Sequence, residues 1–319
     1  MNTPPLPLLV TFSSLPDLLL ALQLEEEDHE RKTQIEALHR KSLPPVTSTL
    51  ALSTMFGISL NFIHALARHP EKNYRKFKIR KGKKNREISS PRIALKLIQR
   101  WFAQHASSAL VFPEYVCGFV PGINGVTEAA KRHCNAKWVF SVDLRDFFGQ
   151  VSRARIHNKL VALGYPESGA DLICQLCLLD DKLPQGSPAS PFLSNLAFQE
   201  TDEKLNLIAS KFKCRFSRYA DDIVFSGKNE FDPIIEKEVK ELLEQERWVL
   251  AEDKTEISQL PHRLKVHGLL VHGDKPRLTK GYRNRIRAYK HLLSNERIRA
   301  DDINKVKSHI SYANIIDSI

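Results

Sequence analysis

The sequence predicts an α+β protein, and three patterns predict it. Trp138–Leu144 is a short apolar run of strand character ending at an acid, Cys214–Ser226 reads as a hairpin, and longer stretches with helical periodicity separate and flank them. No internal repeat and no low-complexity linker divides the 319 residues, so one continuous multi-lobed body is expected.

The elements follow in chain order. Residues 1–45 form an N-terminal extension, Pro-rich at first and then Leu-rich, running into a charged stretch from Glu25 to Lys41; no chemistry is visible in it. Ser48 to His69 has the pattern of a short helical pair, with Ser53 and Ser59 as candidate caps. Next comes a basic hairpin turning near Gly82. Phe77 and Ile79 alternate there with Lys76, Lys78 and Arg80, and Ile88 follows Arg86, so one face is expected to be apolar and the other cationic. Helices are expected over 93–109, 154–163, 168–179, 190–208, 232–245 and 282–293.

Composition narrows the functional classes. With 42% hydrophobic and 27% charged residues the chain has material for a core and is neither disordered nor membrane-embedded. The longest apolar stretch near the N-terminus, Leu18–Leu24, contains Gln23 and is bounded by Asp17 and Glu25, which supports neither a signal peptide nor a membrane span. Five scattered cysteines fit a reducing cytoplasm better than a disulfide framework. Cys174 and Cys177 form a CxxC, readable as a metal or redox pair or as packing inside an apolar helix.

The formal net charge of +11 is unevenly placed. Residues 71–100 hold twelve Lys or Arg and two Glu, and residues 275–307 hold eleven Lys or Arg and three acids, so the remainder of the chain is net acidic. Two basic arms suit a polyanion held at both ends, although a charge run is also what a solvated surface looks like.

The chemistry concentrates in acids. Arg218-Tyr219-Ala220-Asp221-Asp222 lies between Phe216 and Ile223-Val224-Phe225, which puts two adjacent carboxylates at a hairpin tip. Such a pair repels itself unless cations bind, while in isolation it also reads as an ordinary Asp-rich turn. Asp143 ends the strand that begins at Trp138 and precedes Leu144, Arg145, Asp146, Phe147 and Phe148. Beside the hairpin it would complete a three-carboxylate cage for two Mg²⁺, hard ions that prefer oxygen ligands. Between these sites Leu183-Pro184-Gln185-Gly186-Ser187-Pro188 forms a stiff turn before a helix N-terminus, a place that favours phosphate.

As an ordered set, Asp143 with Phe147 and Phe148, then Leu183 to Pro188, then Tyr219 to Asp222, then Lys254-Thr255, resembles the palm of a reverse transcriptase across about residues 72–295. The resemblance implies a right-hand polymerase of fingers, palm and thumb preceded by an N-terminal helical extension, with the extension at 1–70, fingers and palm at 71–260 and the thumb at 261–319. It implies that Asp143, Asp221, Asp222 and the carbonyl of Leu144 hold two Mg²⁺, with Mn²⁺ as a substitute. By the same resemblance Phe148 is the steric gate against a ribose 2′-hydroxyl, Gln185 lies near the incoming nucleotide, Arg86 and nearby lysines hold its triphosphate, and Lys254 lies near the leaving group.

The short chain and the stretch Lys265-Val266-His267-Gly268-Leu269-Leu270-Val271 resemble the retron group within that family. Three positions depart from its usual pattern: Ala129 stands where Asn-Ala-x-x-His is usual, His267 where Val-Thr-Gly is usual, and Ala251 where an Asn often precedes Lys-Thr. The retron resemblance implies a structured noncoding RNA as template and primer, synthesis from an internal 2′-hydroxyl, a single-stranded DNA product and a separately encoded effector protein in phage defence. Lys76, Lys78 and Arg80 in the hairpin, and Arg283, Arg285, Arg287 and Lys290 near the C-terminus, are the expected RNA contacts. Reverse transcriptases of diversity-generating or abortive-infection type, and a non-catalytic RNA-binding scaffold that neutralises a toxin, are the alternatives.

Overall fold

A computed structural model describes residues 5–24, 28–81 and 84–319, with the side chains of Lys81 and Lys84 left aside. The expected turn at Gly82 and the acidic run at Glu25 lie outside the described residues. The chain forms two compact units, one built from residues 1–112 and 146–200 and the other from residues 113–145 and 201–319.

The first unit opens with helices α1 (Leu15–Ala21), α2 (His29–Arg40), α3 (Thr49–Phe56) and α4 (Leu60–Arg68). Ser48, not Ser53, starts α3: its extended backbone lets the side chain accept from the Ala51 amide, whereas Ser53 lies buried within the helix and donates to the Ile58 carbonyl. Ser59 caps α4, accepting from the Phe62 amide. Strands β1 (Tyr74–Lys81) and β2 (Lys84–Pro91) then pair as an antiparallel ribbon and lead into α5 (Ile93–Ser108). In the other unit α6 (Gly125–Arg132) precedes β3 (Trp138–Asp143). The chain returns to the first unit for α7 (Phe147–Gln150), α8 (Arg153–Leu163), α9 (Glu167–Cys177) and the start of α10 (Ser190–Lys211).

Cys174 and Cys177 both lie buried in α9, where burial pushes the Cys174 thiol up to about 12 and the Cys177 thiol higher still. Thiols held protonated in this way neither ligate metal nor exchange readily, so the CxxC is helix packing.

The second unit holds the main sheet. Strands β4 (Arg215–Tyr219) and β5 (Asp222–Gly227) form the expected hairpin, and after α11 (Pro233–Gln245) strand β6 (Glu256–Gln259) completes an antiparallel sheet of order β4-β5-β3-β6. Register places Phe140, Phe225 and Phe216 directly across from one another on three neighbouring strands, all fully buried. Such cross-strand aromatic ladders fix register as well as burying area. The opposite face carries Val139 and Val224, which pack with Ala129 and Ala130 of α6. Strands β7 (Lys265–Val266), β8 (Leu269–Leu270) and β9 (Arg277–Leu278) form a small second sheet, and α12 (Lys280–Ser294) with α13 (Ala300–Asp317) close the same core through Ile286, Ala313 and Ile316. The sequence patterns pointed to neither α6, α13 nor the small sheet.

Candidate active site

The acids meet at one end of the main sheet because register requires it. Asp143, last in β3, is the direct partner of Asp222, first in β5. Facing residues of an antiparallel pair have Cβ atoms about 5 Å apart, so the two carboxylates leave neighbouring points on one face. Asp221 joins them through its backbone, since its carbonyl accepts from the Leu144 amide at 3.1 Å.

The turn between β4 and β5 is two residues long, because Tyr219 pairs with Asp222. Ala220 sits there at φ +56°, a left-handed conformation that costs a non-Gly residue on the order of 1 kcal/mol. Neighbouring groups hold it in place. The fully buried Arg218 grips Asp202 of α10 through two bonds of 2.7 and 2.6 Å and donates a third, at 3.1 Å, to the Ala220 carbonyl. The Arg218 backbone is fixed in turn by the Tyr115 carbonyl and the Cys117 amide, both at 2.8 Å. The strand-like segment carrying them ends at Gly118, where a Cβ would lie 2.4 Å from the Ala220 nitrogen, so only glycine allows this approach.

Lys254 reaches the site from beside β3. The Ala251 amide donates to the Asp143 carbonyl at 2.8 Å, and the one-turn helix Glu252–Lys254 then brings the Lys254 ammonium to 2.5 Å from Asp143 Oδ1. The contact made at 251 is a backbone one, which explains how Ala can stand at that position. Burial pushes the Asp143 carboxyl above the ordinary range, the Lys254 hydrogen bond pulls it back, and the charges of Asp221 and Asp222 push it up again. The bond to Asp143 raises Lys254 in the same way.

Two departures from the retron pattern also have a place here. His267 and Gly268, both at positive φ, form the tight turn between β7 and β8. The His267 ring packs 5.1 Å from Tyr219, with Nδ1 3.4 Å from Asp222 Oδ2. Ala129 is fully buried in α6, and four residues on the buried His133 bridges the hairpin strands, with one ring nitrogen 2.7 Å from Ser226 Oγ and the other 2.7 Å from Ser217 Oγ. Burial pushes His133 down to about 3, so it is a neutral strut between β4 and β5.

The donor chemistry fits divalent cations: hard carboxylate oxygens whose mutual repulsion a cation relieves. Among the described residues no three His, Cys, Asp or Glu side chains already converge on one point, and Asp143 spends one oxygen on Lys254.

Arg86, Phe148 and Gln185 belong to the other unit. There the Gln185 carbonyl accepts from the Ser89 amide of β2 at 2.7 Å, and Gly186, at φ +116°, leaves no space for a Cβ against Ile88 and Ser89. The turn carrying Gln185 is thereby pressed onto the strand that carries Arg86. Arg86 is exposed and opposes Ile79, on the face of the ribbon expected to be apolar. Phe148 is half-buried beside Phe147, and the Asp146 carboxylate lies against Gly149 where a Cβ would otherwise sit. Lys76, Lys78 and Arg80 are exposed on β1, as are Arg283, Arg285, Arg287 and Lys290 on α12.

Sequence reasoning missed the Asp202–Arg218 clamp, Gly118 and the placement of His267. The one available signal was Arg218 itself, a cation inside an otherwise apolar strand.

The model of the family "Reverse transcriptase (RNA-dependent DNA polymerase)" matches residues 77–278. The chain belongs to this family. It is 26% identical over 290 residues to the retron Ec86 reverse transcriptase of Escherichia coli, covering 88% of each chain. It is 29% identical over 271 residues to the retron Mx162 reverse transcriptase of Myxococcus xanthus, covering 74% of this chain and 56% of that one. A solved structure of apo telomerase from Candida tropicalis, truncated from the C-terminal domain, aligns with a TM-score of 0.49 and 12% identity over 70% of this chain and 61% of that one. The reverse transcriptase described here is a retron-type RNA-directed DNA polymerase with a right-hand polymerase fold, from a family that binds RNA templates and uses divalent metal ions. Among its described residues no helix is long and apolar enough to cross a membrane.

Proposed function

We propose that this reverse transcriptase copies a structured noncoding RNA, which serves as both template and primer, into single-stranded DNA. Synthesis starts from an internal 2′-hydroxyl of the RNA and continues from the 3′-hydroxyl of the growing DNA. The hydroxyl loses its proton and attacks the α-phosphorus of a deoxynucleoside triphosphate, a phosphodiester bond forms, and the bond from the α-phosphorus to the bridging β-phosphate oxygen breaks to release pyrophosphate. Asp143, Asp221, Asp222 and the Leu144 carbonyl would hold two Mg²⁺, for which Mn²⁺ can substitute. Such ions activate an attacking hydroxyl and neutralise a leaving pyrophosphate. The single observation that carries this reading is the direct facing of Asp143 and Asp222 across β3 and β5, with Asp221 tied to Leu144.

The other roles belong to the chain's own side chains. Phe148 excludes a 2′-hydroxyl, Gln185 and Arg86 hold the incoming nucleotide, and Lys254 serves the leaving group. Lys76, Lys78 and Arg80, together with Arg283, Arg285, Arg287 and Lys290 in a thumb at 261–319, grip the RNA backbone. Residues 71–260 act as fingers and palm and residues 1–70 as an appended helical region. The enzyme works in the cytoplasm, in phage defence alongside an effector protein encoded nearby.

Asp221→Asn with Asp222→Asn is expected to lower DNA synthesis at least a thousandfold while changing RNA affinity less than threefold, measured by primer extension and filter binding. Undiminished synthesis by that double variant rejects the site.

A further inference from the structure

At the end of β5 remote from Asp222, the second unit has a cavity of about 400 Å³. Small, uncharged residues line it, among them Cys134, Ala136 and Gly227, together with Lys213, Arg215 and Lys228. Every charged residue lining it is a cation, and among the described residues neither Lys213 nor Lys228 has an ion-pair partner. Arg215 is preorganised, because its Nη1 donates to the Arg132 and Cys134 carbonyls at 2.8 and 2.7 Å, which fixes the guanidinium at the cavity edge. The carboxylate that acts on Cys134, that of Asp274, is held by Arg277 at 3.1 Å. Glycine is required at 227, since a Cβ there would lie 2.6 Å from the buried Trp138 ring.

Three cations lining a hollow with no acidic residue make a site for an anion, and spacing along the strand separates it from the acids. Ser226 is four residues from Asp222 along β5, roughly 14 Å at about 3.4 Å per residue. The hollow is too small for a duplex and large enough for a phosphate with its sugar. We propose that this cavity binds a phosphodiester of a single-stranded nucleic acid, an anchor on the far edge of the sheet for a strand outside the catalytic end. The proposal rests on the RNA-copying function only for the source of that strand.

The test uses the full-length protein and the variants Lys213→Gln with Lys228→Gln and Lys213→Glu with Lys228→Glu. Affinity for a labelled 20-nucleotide single strand, in one arm RNA and in the other DNA of the same sequence, is followed against salt concentration. Each released phosphate contact lowers the slope of log affinity against log salt by about 0.7, so the neutral pair is expected to lower it by about 1.4. A drop in both arms assigns the phosphodiester backbone alone, and a drop with RNA only assigns an RNA strand. Extension of a short primer–template is expected to stay within twofold of the parent. An unchanged slope in both arms overturns the proposal, as does binding of adenosine monophosphate that the substitutions abolish while the strand slope stays the same. Should the glutamate pair melt early, the neutral pair carries the test. The slope is measured without synthesis, so a parent protein that fails to extend the primer sinks the polymerase reading and leaves this measurement standing.

Discussion

The ribbon β1–β2 and the hairpin β4–β5 are both antiparallel pairs rich in alternating residues, yet the chain treats them in opposite ways. In β4–β5 the aromatic ladder buries one face, α6 covers the other, and Arg218 and His133 tie the strands to their surroundings. In β1–β2 no third strand joins among the described residues, and even the apolar Phe77 and Ile79 stay 40% and 43% exposed. An isolated two-stranded ribbon is marginal by itself, whereas a strand pair within a four-stranded sheet packed on both faces is firmly held. Carboxylates that must be held close against their own repulsion are carried by the packed pair, and a row of long, exposed cations is carried by the ribbon.

The largest effect that could break this contrast lies in the buried clamp. Removing one partner, by Asp202→Ala or Arg218→Ala, leaves an uncompensated buried charge and is expected to cost about 3–5 kcal/mol in urea unfolding. Replacing both, Asp202→Leu with Arg218→Met, is expected to recover most of that stability and still lower kcat at least tenfold, because the Ala220 carbonyl loses its donor. A double variant that polymerises at the parent rate would reduce the clamp to a stabiliser.

His133 gives a smaller effect with a defined sign. Its folded value, pushed down to about 3, lies below the ordinary 6.5, so the unfolded chain binds the proton more readily. The associated stability is therefore complete well above pH 6.5 and is lost as pH falls through 6.5 toward 3, with a slope that approaches about 1.4 kcal/mol per unit once the unfolded imidazole is fully protonated. Between pH 6.5 and 5.5 the parent is expected to lose about 1 kcal/mol more than His133→Asn in urea titrations, because the unfolded imidazole is already half protonated at pH 6.5. Equal losses would mean that the imidazole is not held neutral.

The smallest stability change is expected in the ribbon. Lys78→Glu with Arg80→Glu should move unfolding by less than about 0.5 kcal/mol, since both side chains are exposed. RNA affinity should nevertheless fall about tenfold, with a shallower salt dependence. A large loss of stability from these charges would show that the ribbon is as firmly packed as the sheet.

The sequence alone determined the three acids, the strand and hairpin that carry them and most of the helices. Those features are local: period-two and period-3.6 patterns, a paired-acid tip and an ordered set of motifs can each be recognised within a few residues. Three-dimensional structure alone decided that Asp143 faces Asp222, that Arg218 turns inward to Asp202 and Ala220, that Gly118 lies against the turn, and that His267 comes to rest beside Tyr219 and Asp222. It also decided that Ser48 rather than Ser53 starts its helix and that Phe77 and Ile79 of the ribbon stay partly exposed. Register and burial depend on partners tens of residues away, and no pattern along the chain encodes which of several compatible partners a strand or a buried cation will meet.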